Sequence, residues 1–483
     1  MRRGLTDGWR HRLVALAAAG LILLSLWQLE NARRGIEVTD AMRGDTPVTT
    51  YATPGAEGPA VVIAHGFAGS REMMQAYALD LARAGYIAHA FDFLGHGAHP
   101  DPMSGDVNAE DGTTRRLVDQ TKALIAGVGG DTPVALVGHS MATDVLVRVA
   151  AETPQVGPLV LISAFSNEIT AEAPRDLLLI TGAWEPGLTE FARTAAAAQA
   201  PDVRRAAVIA PRSDHVSILQ SVKARAAAVT WLNGFYDRDV QPRITATGWG
   251  LIGLLAGIIA LTPTLARALP SQATPRTPLP PARFLAVALL PAVATPLIAV
   301  PLDIGVLPVL VADYLALHLA ILGGLQLLLL WRFGVRPAGL SAPAVLLILI
   351  WGIGVFGLAL DRYGANFLPN APRLWIIAAL ALGTIPFMLA DALLSGAGHG
   401  PLWHRGLARV AFLGSLAFAV ALDFSGLFFL ILIAPVIVLF YIVFGLMGRW
   451  VAQRSGAASA GLGLGLVLAW ALGVSFPLFA AGG

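Results

Sequence analysis

After position 248 the chain carries 11 Arg and five Asp but no Lys and no Glu across 235 residues. So little charge cannot give every helix a water-facing side. Eight apolar runs fill this part, at 248–266, 284–302, 306–331, 341–360, 374–395, 407–422, 425–446 and 457–479. Crossing ~30 Å of hydrocarbon takes about 20 such residues, and most of the runs reach that length. The run at 407–422 is short. The run at 284–302 holds Pro291, Pro296 and Pro301, which predicts a kinked or re-entrant segment. Buried helices of a soluble core keep a polar face, and these keep none. The expectation is an all-α polytopic transmembrane domain of about eight helices over 248–483.

A ninth apolar run, Leu13 to Leu29, follows Arg2, Arg3, Arg10 and Arg12. Signal cleavage wants small residues just ahead of the cut, and Gln28, Leu29, Glu30, Asn31 and Ala32 match poorly. The run therefore reads as an uncleaved anchor, with 1–30 forming a cytoplasmic tail and a membrane helix. Cytoplasmic loops collect arginine. With the N-terminus inside, the inside loops hold Arg267, Arg276, Arg283, Arg332, Arg336, Arg405, Arg409, Arg449 and Arg454. The outside loops hold Arg362 and Arg373, together with Asp303, Asp361 and Asp423. This distribution makes a nine-span topology self-consistent. It predicts a multi-pass protein of a bacterial inner or plasma membrane, with 31–240 on the extracytoplasmic side and the C-terminus outside as well.

Residues 31–248 differ in composition, with 18 basic and 24 acidic residues, a net charge of −6 (18 − 24). Nucleic-acid binding wants a basic patch, so no nucleic-acid partner is expected. The chain has no cysteine, which excludes a disulfide scaffold. Strands are predicted at Val48–Tyr51, Ala60–Ala64, Ile87–Phe91, Val134–Val137, Leu159–Ile162, Leu177–Ile180 and Ala207–Ile209. Helices are predicted between them at Arg71–Ala84, Thr113–Ala126, Ala142–Ala151, Leu188–Ala200 and Ser217–Leu232. The strand runs are continuous rather than alternating, as in strands buried on both faces of a mainly parallel sheet. The rhythm predicts a doubly wound α/β domain over 31–240.

The segment Val134 to Ala142 reads as a strand, a Gly138-His139-Ser140-Met141-Ala142 turn, and the start of a helix. A serine on so tight a turn needs small neighbours two residues away on each side. The turn presents the hydroxyl at a helix N-terminus, where the dipole favours developing negative charge. Ala142 stands where Gly is usual. A serine hydroxyl is a weak nucleophile and needs a base; His215, just after the last predicted strand, is the candidate. The base needs a carboxylate to hold its tautomer. Glu185, after the strand Leu177–Ile180, is the first candidate acid and Glu168 the runner-up. Asp214 adjoins the base in sequence, and adjacent residues rarely point the right way. Oxyanion donors would be the backbone N–H groups of Met141 and of Phe67, the latter in His65-Gly66-Phe67-Ala68-Gly69-Ser70 at the end of an early strand.

Over about 45–233 the chain resembles the α/β-hydrolase superfamily, in particular its compact lysophospholipase-like and dienelactone-hydrolase-like members. The residues that carry the likeness are His65-Gly66-Phe67, the turn Asp92 to Gly97, Gly138 to Ala142, and Asp214-His215. The resemblance implies a Ser140–Glu185–His215 triad; the absence of cysteine and of histidines at ligand spacing leads to an expectation of no metal or cofactor. The chain departs from the commonest pattern in Glu185, where Asp is usual, and in Ala142. His96, in the Asp92–Gly97 turn, receives no catalytic role. Larger lipases often insert a lid after the sixth strand. Here about a dozen residues separate Ile162 from Leu177, so no large lid of that kind fits.

The expected activity is carboxylic ester hydrolysis by a membrane-bound serine hydrolase, acting on a small-molecule or lipid ester through an acyl-serine, with membrane lipids as surroundings. Two alternatives stay open: an envelope acyltransferase using the same triad, and a transport or assembly protein with a hydrolase-like binding domain. In the membrane part, Asp313, Asp391 and Asp423 read as interfacial, Tyr314 and His318 share a helix face, and Gly461 and Gly465 read as helix packing.

Overall fold

The computed structural model describes residues 2–106, 110–272, 279–302, 305–309 and 311–480. Arg276 and Asp303, assigned to loops above, lie outside them. The chain divides into two compact units. One gathers Leu23–Leu254, Leu360–Asn366 and Pro477–Gly483; the other gathers Met1–Ile22, Leu255–Ala359 and Phe367–Phe476.

α1 (Arg2–Arg33) has its residues through Ile22 in the second unit and its end in the first, where it leads into an eight-stranded sheet. The strands are β1 (Glu37–Arg43), β2 (Thr46–Ala52), β3 (Ala60–Ala64), β4 (Ile87–Phe91), β5 (Val134–His139), β6 (Val156–Ile162), β7 (Asp176–Gly182) and β8 (Arg204–Ala210). Their order is β1-β2-β4-β3-β5-β6-β7-β8. The pairs β1–β2 and β2–β4 are antiparallel and all the others parallel. All seven predicted strands are present. β1 was not anticipated: it is a charged, largely exposed edge strand and has no apolar face to betray it. Gly44, at φ +58°, makes the tight turn that folds it onto β2.

The helices are α2 (Gln75–Arg83), α3 (Arg115–Val128), α4 (Met141–Glu152), α5 (Pro186–Ala197) and α6 (Val222–Phe235). Successive strand residues point to opposite faces, and both faces are covered. Val61, Ile63, Val137, Ile162 and Ile180 join one core with residues of α2 and α6. Val62, Ala64, Leu136, Leu161 and Leu179 join the other with residues of α3, α4 and α5. This double burial is why the strand runs are continuously apolar. A buried ion pair ties α2 to α6: Arg225 Nη1 donates to Asp80 Oδ2 at 2.5 Å. Two distant segments complete the unit. Asn366 N–H donates to Ser70 Oγ (3.0 Å). Leu478 N–H donates to Gly95 O (2.8 Å) and Leu478 O accepts from Met103 N–H (2.9 Å).

The second unit is helical. Its helices include α7 (Thr247–Ala266), α8 (Pro281–Ala299), α9 (Ala312–Arg332), α10 (Ala342–Leu349), α11 (Gly357–Tyr363), α12 (Ala371–Leu394), α13 (Leu402–Leu422), α14 (Phe424–Leu427), α15 (Phe429–Ser455) and α16 (Ala457–Ser475). Counting α1, and joining α10 to α11 through the π-turn Ile350–Phe356, nine helical spans among the described residues are long and apolar enough to cross a membrane. The segment expected to kink or re-enter is a continuous helix, Pro281–Ala299, extended by a short turn. Proline is tolerated there where neighbouring groups satisfy the freed carbonyls. The short run at 407–422 is the apolar part of a 21-residue helix that starts at Leu402 and includes Arg405 and Arg409. Gly461 and Gly465 lie against Leu389 and Ile385 of α12, where an added Cβ would come within 2.6 and 2.7 Å of their Cα atoms. This is the packing role expected for small residues.

Leu161, fully buried in the sheet, tests the double-faced core. Leu161→Ala should cost about 2–5 kcal/mol, read as a lowered unfolding midpoint of the detergent-solubilised chain. An unchanged midpoint would mean that this face is not packed as described.

Candidate active site

The carboxyl ends of the parallel strands supply every polar group of the site. β5 ends at His139, and Ser140 follows at φ +52°, ψ −118°, as the residue that caps α4. A non-glycine residue there costs about 1–3 kcal/mol, and the packing holds it. A Cβ on Gly138 would meet Leu146 Cδ1 at 2.6 Å and the Ala142 Cβ at 3.3 Å. Ala142 itself is fully buried, so alanine fits where glycine is usual.

The structure brings Ser140, His215 and Glu185 together. Ser140 Oγ and His215 Nε2 are 2.8 Å apart, and His215 Nδ1 lies 2.6 Å from Glu185 Oε1. The carboxylate makes Nδ1 the donor and so leaves Nε2 free to accept from the serine. The second oxygen, Oε2, accepts from Gly182 N–H and from Ser163 Oγ, both at 2.8 Å. Burial pushes the Glu185 carboxyl up, but these three hydrogen bonds outweigh it and hold it below the ordinary carboxylate range. Gly182 has no alternative: a Cβ there would lie 2.3 Å from Ser213 O and 2.9 Å from Glu185 Oε2.

The runner-up acid, Glu168, instead faces Arg148 at 3.2 Å. Asp214 turns its carboxylate back on its own loop, accepting from Val216 N–H (3.0 Å), Ser217 N–H (2.8 Å) and Ser217 Oγ (2.8 Å). It thereby shapes the loop that carries His215.

The loop after β3 lies against Ser140, since a Cβ on Gly66 would come within 2.9 Å of Ser140 Cβ and of His139 Nδ1. Phe67 is the next residue in this loop. Met141 opens α4, where an N–H has no intrahelical acceptor. His65 anchors the loop. Its Nδ1 donates to Gly66 O (2.7 Å) and its Nε2 accepts from Phe93 N–H (3.1 Å). Burial lowers its pKa, which keeps the ring neutral for both bonds. The His96 ring meets the edges of His65 and Phe67, and its Nδ1 pairs with Leu94 O (2.9 Å).

Two residues escaped the sequence reading. Ser163, at φ +51° just after β6, donates to Glu185; nothing in one sequence pairs it with a residue 22 positions on. His139 is buried, and its Nε2 donates to His215 O (2.8 Å). Its place beside the serine was the available signal. Three large apolar side chains close in sequence to polar members of the site are exposed: Phe165 (58%), two residues after Ser163, Trp184 (64%), next to Glu185, and Val216 (58%), next to His215.

Residues 56–211 match the family described as serine aminopeptidase, S33. Solved structures similar to part of the chain include a dienelactone hydrolase from Anabaena variabilis: 18% identity, 42% of this chain and 96% of that one, TM-score 0.32. They also include an epoxide hydrolase from an endophytic Streptomyces (15%, 42% and 97%, TM-score 0.33) and a predicted CIB-like hydrolase from Thermoplasma acidophilum (15%, 42% and 99%, TM-score 0.34). No curated protein matches the chain.

Burial lowers two histidines of this unit, His139 and His89, from 6.5 to about 4. Each binds its proton more weakly when folded, so their stabilisation is complete above pH 6.5 and is lost as pH falls toward about 4. The unfolding midpoint should drop over that window, and His139→Gln should flatten the slope; an unchanged slope would contradict the burial of the ring. The unit that holds these residues, with its mainly parallel sheet and its match over 56–211, is an α/β-hydrolase domain.

Proposed function

We propose that the protein is a membrane-bound serine hydrolase that cleaves a carboxylic ester, with a lipophilic acyl group as the preferred substrate portion. The continuous hydrogen-bond chain Ser140–His215–Glu185 carries this reading. Ser140 Oγ attacks the ester carbonyl while its proton passes to His215 Nε2. The oxyanion collects the N–H groups of Phe67 and Met141. The tetrahedral intermediate collapses, the C–O bond to the alcohol breaks, and His215 returns the proton to the departing oxygen. Water, deprotonated by His215, then attacks the acyl carbonyl; the bond to Ser140 Oγ breaks, His215 returns the proton to Oγ, and the acid is released. Glu185 stays ionised and stabilises the imidazolium throughout.

The exposed Phe165, Trp184 and Val216 support a lipophilic acyl group, because each lies within two residues of Ser163, Glu185 or His215 in sequence. The short 163–175 connection supports direct access to them. The arginine distribution supports an anchor at 1–30, a hydrolase domain at 31–240 outside the cytoplasm, and a membrane domain at 248–483. A second reading, amide cleavage at a peptide N-terminus, has the description of the matching family behind it. An acyltransferase would share the acyl-enzyme and differ only in the acceptor.

A fluorophosphonate probe should label the detergent-solubilised chain and fail to label Ser140→Ala. Ester turnover should fall about 10⁴-fold or more in that variant. Equal labelling would sink the assignment, and turnover of aminoacyl anilides but not of esters would favour the peptidase reading. Trp184→Ala with Phe165→Ala should cut kcat/KM for a long-chain p-nitrophenyl ester about tenfold or more while sparing the acetyl ester. A parallel loss on both esters would remove the acyl-binding role.

A further inference from the structure

A second cluster of charge lies in the helical unit, where the end of α12, the start of α13 and the end of α15 meet. α13 brings Arg405 and Arg409, one turn apart on a shared face. α15 brings Arg449, and α12 brings Asp391. Arg409 Nη2 lies 4.0 Å from Asp391 Oδ2, and its guanidinium sits 4.4 Å from the centre of the Tyr441 ring. Gly445 makes room for it, since a Cβ there would come within 3.3 Å of Nη2. Arg405 is within electrostatic reach of Arg449, Arg409 and Asp391. The glycine loop after α12 packs on the same group: a Cβ on Gly398 would meet Arg449 Cγ at 3.0 Å.

This cluster is out of balance in charge and in hydrogen bonds. Arg409 and Arg405 share the one carboxylate of Asp391, Arg449 adds a third positive charge beside Arg405, and repulsion between like charges grows as the surroundings become less polar. The Nε atoms of Arg405, Arg409 and Arg449 and the hydroxyl of Tyr441 are buried without a partner among the described residues. Tyr441 itself is only 7% exposed. Buried donors left unmade are costly. A bound anion would remove both defects.

We propose that this cluster is an anion site for a phosphoryl group, held by Arg405, Arg409 and Arg449 with Tyr441 as a further donor. Guanidinium groups meet phosphoryl oxygens in paired hydrogen bonds, and basic pockets between membrane helices suit anionic headgroups. The phosphoryl group comes from a lipid headgroup or from free phosphate; only the first source rests on the membrane reading above. Asp391 orients Arg409 and competes with the ligand for it.

The test follows thermal unfolding of the full chain in neutral detergent, by tryptophan fluorescence, during titration with dioleoylphosphatidylglycerol or inorganic phosphate. Dioleoylphosphatidylcholine is the control. Saturating anionic lipid should raise the midpoint by roughly 5 °C. Arg405→Gln and Arg449→Gln should each weaken the apparent affinity about tenfold, while Asp391→Asn should strengthen it. A response to phosphatidylglycerol but not to phosphate assigns the lipid headgroup. A response to phosphate with the same variant dependence assigns the free anion. The site is overturned by no response to either ligand, by equal responses in wild type and Arg449→Gln, or by a weaker response in Asp391→Asn. The last variant guards against arginine substitutions that fail to fold. Release of the chain from membranes by alkaline carbonate would refute the membrane reading and leave the phosphate titration informative.

Discussion

The hydrolase unit depends on a parallel sheet whose two faces are both buried. β3, β5, β6, β7 and β8 run the same way, so their carboxyl ends open at one edge. The loop with Gly66 and Phe67, the Ser140 turn, Ser163, Gly182 to Glu185 and the His215 loop each follow one of these strands. A pentapeptide, a histidine and a glutamate scattered over more than 75 residues therefore meet within hydrogen-bond distance. The core needs no polar residue to achieve this. Its alternating positions fill two apolar layers and leave the strand ends to chemistry.

Within that frame the site is held by small residues and by hydrogen bonds to the backbone. Gly66, Gly138 and Gly182 stand where a Cβ would strike the neighbouring chain. Glu185 is fixed by Gly182 N–H and Ser163 before it reaches His215. His139 Nε2 donates to the carbonyl of His215. The imidazole is thus oriented from two sides, by a carboxylate at the ring and by a histidine at the main chain. Preorganisation of this kind lets donors act without reorganising as charge develops.

The helical unit follows a different rule. Its helices are apolar around most of their circumference, so small residues and a few polar contacts set the packing. Gly461 and Gly465 let α16 approach α12 closely. His318 sits buried between Tyr314 Oη (3.0 Å) and Ser415 Oγ (3.1 Å), which satisfies both ring nitrogens and explains the shared face of Tyr314 and His318. Asp391, which reads as interfacial, is buried beside Arg409. Distance from a helix end gives no account of what neighbouring helices place around a side chain.

The amino-acid sequence by itself determined the α/β class, the buried strand segments, the apolar helical spans, and Ser140, His215 and Glu185 as candidates. These follow from periodicity, turn chemistry and chain order, which act over a few residues or along one strand. Tertiary structure alone decided the rest. Glu168, the runner-up, is drawn off by Arg148, a contact between segments with no shared local pattern. Ser163 and His139 gain their roles from neighbours dozens of positions away. β1 forms because β2 offers it hydrogen bonds, not because its own residues need burial. The arginines near α13 and α15 read as ordinary loop-end charges in sequence. They become a cluster around one carboxylate only when three helices bring their ends together.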